Sequence, residues 1–279
     1  MGEGKPEQPS SPYVAMFEGF RKELDEHHDR RERIIKASRD ITASSKKMVR
    51  QVGQSVPQFV VKNNAQYWEM IEKQYKSISG DVQGLNAFRY ERQITGGNQE
   101  FMEALSFQHY LETQTLIPYD EAKSRVATMS GEAGAVLLTP EDYILGIFDM
   151  VGELMRFSIT SMATNGKLPA GRVKKELKSK QEGENGQEGD KMDIDEKAPE
   201  TQEPRNVLSD LRELRLQLEM FEPPHGAKFT DDVEKKMTVM RECVNKVENA
   251  LYSLTVRGSE RPKGWMPEEG RRGEAVEGF

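Results

Sequence analysis

The apolar positions of this chain fall at helical spacing almost from end to end. Ser11-Pro12 reads as a cap with proline at the first helical position. From there Tyr13, Met16, Phe20, Leu24, His27, Arg31, Ile34, Ser38, Ile41, Ser45 and Met48 recur at steps of three or four. No Gly or Pro interrupts between Phe20 and Gln51. The spacing predicts one helix of about forty residues, about 60 Å long, which outruns a small core and must lie along neighbours. Pro57 opens a second helix to about Ile78, and Asp81 caps a short third carrying Val82, Leu85, Phe88 and Tyr90. Thr95-Gly96-Gly97-Asn98 is expected to break the chain and open a helix carrying Phe101, Met102, Leu105, Phe107 and Leu111. Thr139-Pro140-Glu141-Asp142 is the clearest start, with a cap, a proline and two acids at the positive end of the helix dipole. That helix runs to about Met162, and another spans Val207 to Met220.

The last helix, from Thr230, places Val233, Met237, Met240, Val244, Val247, Leu251 and Leu254 at alternating steps of four and three. A strict 3.5-residue repeat predicts a packed helix–helix seam, with its partner in this chain or in another. Ala135–Leu138 is too short to build a sheet. The expected fold class is therefore all-α, a helical bundle.

Composition narrows the picture. Of 279 residues 31% are charged and 35% hydrophobic, polar for a compact globule. Residues 181–204 hold nine acids and two lysines, a net of −7 that equals the charge of the whole chain. With one isoleucine, one methionine and no aromatic, that segment cannot offset its ordering entropy and reads as a disordered acidic insertion. Residues 1–10 and the tail from about 264 to 279 also read as loose, leaving a single helical domain over 11–263. The rest is formally neutral, which excludes a strongly basic nucleic-acid binder as a whole-chain description. A local basic surface remains open, from Arg30, Arg31, Arg33, Lys46, Lys47 and Arg50 on the first helix. Lone Cys243 excludes an internal disulfide and a Cys-rich zinc site, and fits a reducing compartment. No run of about 18 apolar residues suggests a membrane span, and MGEGKPEQPSSPY has no leader-like apolar core. There is no P-loop, GxGxxG, GxSxG or HExxH motif. His27 and His28 read as surface residues, and Cys243 as packing.

The helix from Thr139 to Met162 is apolar nearly all round, which marks a central helix. Its exceptions form one stripe: Asp142, Gly146, Asp149, Glu153, Arg156 and Thr160. Buried acids are costly unless charge, hydrogen bonds or metal compensates them. Asp149 and Glu153 lie one turn apart, so both carboxylates reach one point. Gly146 and Gly152 each cost about 1 kcal/mol relative to alanine and leave room for something to approach the backbone. The helix after Asn98 carries a second pair, Glu100 and Glu103. Four carboxylates in close contact cannot all ionise without cations. Oxygen ligands of this kind suit Mg²⁺ or Mn²⁺, and such ions drive phosphoryl displacement. The plainer reading is solvated acids or ordinary ion pairs, for which Arg156 stands one turn from Glu153. A di-iron carboxylate bundle is discounted, because no Glu-x-x-His is present.

SRDITASSKK (38–47), ITGGNQEFMEALSFQHYLETQTLI (94–117), YILGIFDMVGELMRFSI (143–159) and KVENALYSLTVRGSERPK (246–263) resemble the translin family, on its translin-associated factor X (TRAX) side. The likeness spans about Phe17 to Lys263. It implies a seven-helix translin-like bundle with long antiparallel helices. It also implies a hetero-oligomer with translin, an octameric shell, whose TRAX subunits carry a Mg²⁺-dependent endoribonuclease site. RNA silencing through passenger-strand fragments and tRNA processing are the implied settings, in cytoplasm and nucleus. The family's acidic positions fall on Glu100, Glu103, Asp149 and Glu153, as catalytic and metal-binding residues. Translin is similar in fold but lacks this acid set. The insertion at 181–204 departs from the family pattern.

Overall fold

The computed structural model describes residues 11–54, 57–169, 205–224 and 228–257. The N-terminal ten residues, the acidic insertion 181–204 and the tail 264–279 lie outside the described residues. The architecture is all-α, with no β-sheet among the described residues. The helices are α1 (Pro12–Gln54), α2 (Pro57–Ile78), α3 (Leu85–Arg89), α4 (Glu91–Thr113), α5 (Tyr119–Ser130), α6 (Pro140–Asn165), α7 (Val207–Glu219) and α8 (Lys228–Arg257), with a 3-10 turn at Ser79–Val82. Seven of them have twelve residues or more, which gives the expected seven-helix count among the described residues.

The chain divides into two compact units. The first comprises residues 1–153 and 223–236. Here α1 packs along α2 and α4, and α2 packs on α5. The buried stripe of α1 is Ile34, Ala37, Ile41, Ser45, Met48 and Val52, as the 3/4 spacing predicts. The same stripe continues outward as Tyr13, Phe17, Phe20 and Leu24, all exposed. Tyr75, Phe101 and Trp68 meet edge to face between α2 and α4. The second unit comprises residues 154–222 and 237–279. In it Leu154 and Met162 of α6, Val207, Leu208, Leu211 and Leu218 of α7, and Met240, Val244, Val247 and Ala250 of α8 are buried. Arg212–Glu248 (2.7 Å) and Arg241–Glu219 (2.7 Å) join α7 to α8. Asn206 caps α7 through a reciprocal hydrogen-bond box with Ser209.

Several expectations change. The chain does not break at Thr95-Gly96-Gly97-Asn98, because α4 starts at Glu91 and runs straight through. Gly97 is there for contact with α1. Its N–H donates to Ser38 Oγ (3.1 Å), and a Cβ would stand 3.0 Å from the Ser38 carbonyl oxygen. Helix α5 was not expected, since only Ala122, Val126 and Met129 form its apolar face. The signal was present: Pro118 followed by Asp120 and Glu121 repeats the helix-start chemistry of Thr139–Asp142. His27 is not a simple surface residue. Arg89 donates to its Nε2 (2.8 Å), and its Nδ1 meets the Tyr90 hydroxyl (2.6 Å). The α8 seam is partnered within this chain at Val233, Met240, Val244 and Val247, while Met237, Leu251 and Leu254 are only half-buried.

Candidate metal centre

The centre is built on α4 and the first half of α6, both within the first unit. What brings these helices together is Gly146. A Cβ there would stand 2.5 Å from Met102 Cβ, 3.0 Å from the Gln99 carbonyl oxygen and 3.2 Å from the Glu103 backbone nitrogen. Any larger residue would push the helices apart. Asp149 is one turn further along α6 and Glu103 one residue past Met102, so the close approach sets the two carboxyls on one side. The approaching group that Gly146 admits is thus α4 itself. Gly152 has nothing within 4 Å of its added Cβ and marks no such contact.

The other three expected acids gather around Glu103. Its carboxyl is pushed up to about 8. Burial is the main cause, followed by the negative charges of Asp149, Glu153 and Glu100, with Lys236 acting in the opposite direction. A carboxyl that stays protonated near neutral pH reports a surplus of negative charge in a poorly hydrated place. Two lysines offset part of it. Lys46 of α1 pairs with Glu100 at 2.9 Å, and Lys236 of α8 pairs with Asp149. The Lys46 ammonium is held above the usual lysine range, first by its hydrogen bond to Glu100, with Glu103 and Asp149 adding attraction.

Asp142 stands apart from this group. It is 1% exposed and serves structure. Its carboxylate accepts hydrogen bonds from Thr95, Asn98 (3.1 Å) and Gln99 (3.2 Å), while its N–H donates to the cap Thr139 Oγ1 (3.0 Å). Tyr75 donates to Asn98 Oδ1 (3.1 Å), which extends the network to α2. The acid at the head of α6 therefore pins that helix to α4 with its polar partners satisfied. The Thr-Gly-Gly-Asn run read as a break supplies two of those partners.

The basic surface expected on α1 is smaller than its sequence. Arg30 (3.3 Å) and Arg33 (2.8 Å) converge on Asp81 and hold it well below the usual carboxylate range, Arg33 most strongly. Lys46 belongs to the acidic centre, and Lys47 lies 6.0 Å over the Tyr67 ring. Lys236 was not singled out. The usable signal was its place in the line Phe229, Val233, Lys236, Met240, Cys243, Val247, Ala250, where every other member is buried.

The donor set is chemically suited to a hard dication. It is all carboxylate oxygen, with four acids against two ammonium groups, and it already drives one acid toward its neutral form. Among the described residues, no three acidic, His or Cys side chains stand close enough to grip one ion in this arrangement.

The Translin family profile matches residues 29–258, which include every member of the centre. The chain belongs to the translin family. It is 30% identical to Translin-associated protein X of Mus musculus, over 94% of this chain and 84% of that one. It is 25% identical to the Translin-associated protein X homolog of Schizosaccharomyces pombe, over 88% and 89%. In fold it is similar to the crystal structure of apo-NeC3PO, with a TM-score of 0.56, 16% identity, and 87% and 97% of the two chains covered. The crystal structure of AfC3PO gives a TM-score of 0.52 at 17% identity, over 86% and 97%. This membership accounts for the seven long helices and the order of the motifs.

Proposed function

We propose that the chain is the Mg²⁺-dependent endoribonuclease subunit of a hetero-oligomer with translin, an octamer by family resemblance. Its substrates would be single-stranded RNA, small-RNA passenger-strand fragments and tRNA-processing fragments, in cytoplasm and nucleus. The observation that carries the reading is Glu103, where burial first and then the converging charges of Asp149, Glu153 and Glu100 keep the carboxyl protonated to about pH 8. Structural ion pairing alone needs no such surplus of acid.

Glu100, Glu103, Asp149 and Glu153 would hold Mg²⁺, with Mn²⁺ as a substitute. A bound dication supplies Lewis acidity toward water and charge neutralisation at the phosphodiester. The chain's own groups prepare for this. Gly146 fixes the spacing of the two acid-bearing helices, the Asp142 network fixes their register, and Lys46 holds Glu100 in place. Membership of the translin family supports the partner. So does the exposed stripe Tyr13, Phe17, Phe20 and Leu24, an apolar surface that a monomer would leave in water.

A second reading has its own observation. Lys46 and Lys236 already pair with two of the four acids. If these pairs were the whole purpose, the chain would be a helical scaffold that stabilises translin and assists RNA binding without cutting. Single-turnover cleavage of labelled single-stranded RNA separates the two, using copurified complexes of equal oligomeric state. Glu103→Ala and Asp149→Ala should each slow cleavage at least about a hundredfold while RNA binding survives, and chelation should reproduce the effect. Near-normal rates in both variants would leave the scaffold.

A further inference from the structure

Lys236 is the one member of the α8 line Phe229–Ala250 that is not buried and apolar. Seven and three residues before it Phe229 and Val233 pack inward, and four after it Met240 does the same. Its ammonium is thereby directed inward and ends on the carboxylate of Asp149, 87 residues away in sequence. Its side chain is only 26% exposed, and with Lys46 it offsets the negative charges acting on Glu103. A lysine at an inward helical position is unfavourable unless an acid compensates it. The partner it has taken is the acid that the proposed metal also needs.

We propose that Lys236 is a built-in counter-ion that competes with the divalent cation for Asp149: the ammonium holds this carboxylate when the ion is absent and swings aside when the ion binds. The inference rests on the metal-dependent reading of the centre and deepens it. A dication on Asp149 would stand close to the Lys236 ammonium, and their mutual repulsion weakens the hold of the ion for as long as the ammonium stays in place. Lysine suits the role, since four rotatable carbons let the ammonium leave without moving α8. Lys236 also relieves the repulsion between Asp149 and Glu103 in the metal-free centre, as Lys46 does from the α1 side. The arrangement sets the metal affinity below the limit of the bare acid cluster, so that loading depends on the free ion concentration.

The test uses the full chain copurified with its translin partner and follows Mn²⁺ by the electron paramagnetic resonance of the free ion. Lys236→Gln keeps the side-chain length without the charge, and Lys236→Arg keeps a charge. The glutamine variant should bind Mn²⁺ about tenfold or more tightly than the natural protein, and the arginine variant should not. A second measurement needs no variant. Amine-selective labelling read by mass spectrometry should show Lys236 gaining reactivity when Mg²⁺ is added, relative to exposed Lys235. Equal or weaker Mn²⁺ binding by Lys236→Gln, or labelling of Lys236 that ignores Mg²⁺, would overturn the inference while leaving the metal centre standing. Absence of Mn²⁺ binding in every protein would overturn both.

Discussion

Glu103→Gln replaces the most perturbed carboxyl among the described residues with a neutral group of the same shape. In the folded chain this carboxyl titrates at about 8, whereas 4.5 is its ordinary value. Between those two values the folded state keeps a proton that the unfolded chain has released. The folded pKa is raised, so the stability linked to that proton is fully present below pH 4.5 and is lost as pH rises through 8. At about 1.4 kcal/mol per pH unit, the full loss is roughly 5 kcal/mol. Over the accessible part of that window, pH 6 to 8, it is about 2–3 kcal/mol, or roughly 5–10 °C in Tm for a domain of this size. The variant has no proton to lose there. The assay is thermal unfolding of the chelated complex, natural and variant side by side, from pH 6 to pH 9. The two curves should diverge as pH rises, with the glutamine variant losing less and ending above the natural protein at pH 9. Saturating Mg²⁺ should narrow the gap, because a dication stabilises the ionised carboxyl that high pH produces. Curves that stay parallel across the range would refute the burial of Glu103 among acids, and with it the main support for the centre.

Other expectations follow from individual contacts. Gly146→Ala places a Cβ 2.5 Å from Met102 Cβ and against α4 backbone, so it should destabilise the fold by about 1–3 kcal/mol in urea unfolding and reduce cleavage. Gly152→Ala, with open space around it, should be neutral or slightly stabilising in the same experiment. Asp142→Ala strips the acceptor from Thr95, Asn98 and Gln99 and should cost about 3–5 kcal/mol, measured by the same unfolding. Replacing residues 181–204 by a short Gly/Ser linker should leave helix content by circular dichroism and oligomer size by light scattering unchanged, because that composition builds no core.

Much of the centre was legible before any coordinates. Glu100, Glu103, Asp149 and Glu153 stood out because acids on an apolar helix need compensation, and spacing of three or four residues puts each pair on one face. Asp142 satisfied the same criterion and belongs elsewhere, since the pattern cannot tell a carboxylate held by Thr95, Asn98 and Gln99 from one crowded by other acids. The arginines of α1 illustrate the same limit. A run of positive charge reads as surface for RNA, yet Arg30 and Arg33 are engaged with Asp81, 48 or more residues on.

The sequence by itself determined the long helices other than α5, their apolar stripes, the cap at Thr139 and the lack of a sheet among the described residues, because these depend on neighbours within a turn or two. It also determined which residue types could form a metal centre. Only the tertiary structure decided that Thr95–Asn98 stays helical, since Gly97 and Asn98 find their reasons in Ser38, Tyr75 and Asp142 on other helices. Tertiary structure alone also decided that Lys46 and Lys236 enter the acidic centre. Their partners lie 54 and 87 residues away, and electrostatic pairing over such separations is fixed by how helices pack, not by any local pattern.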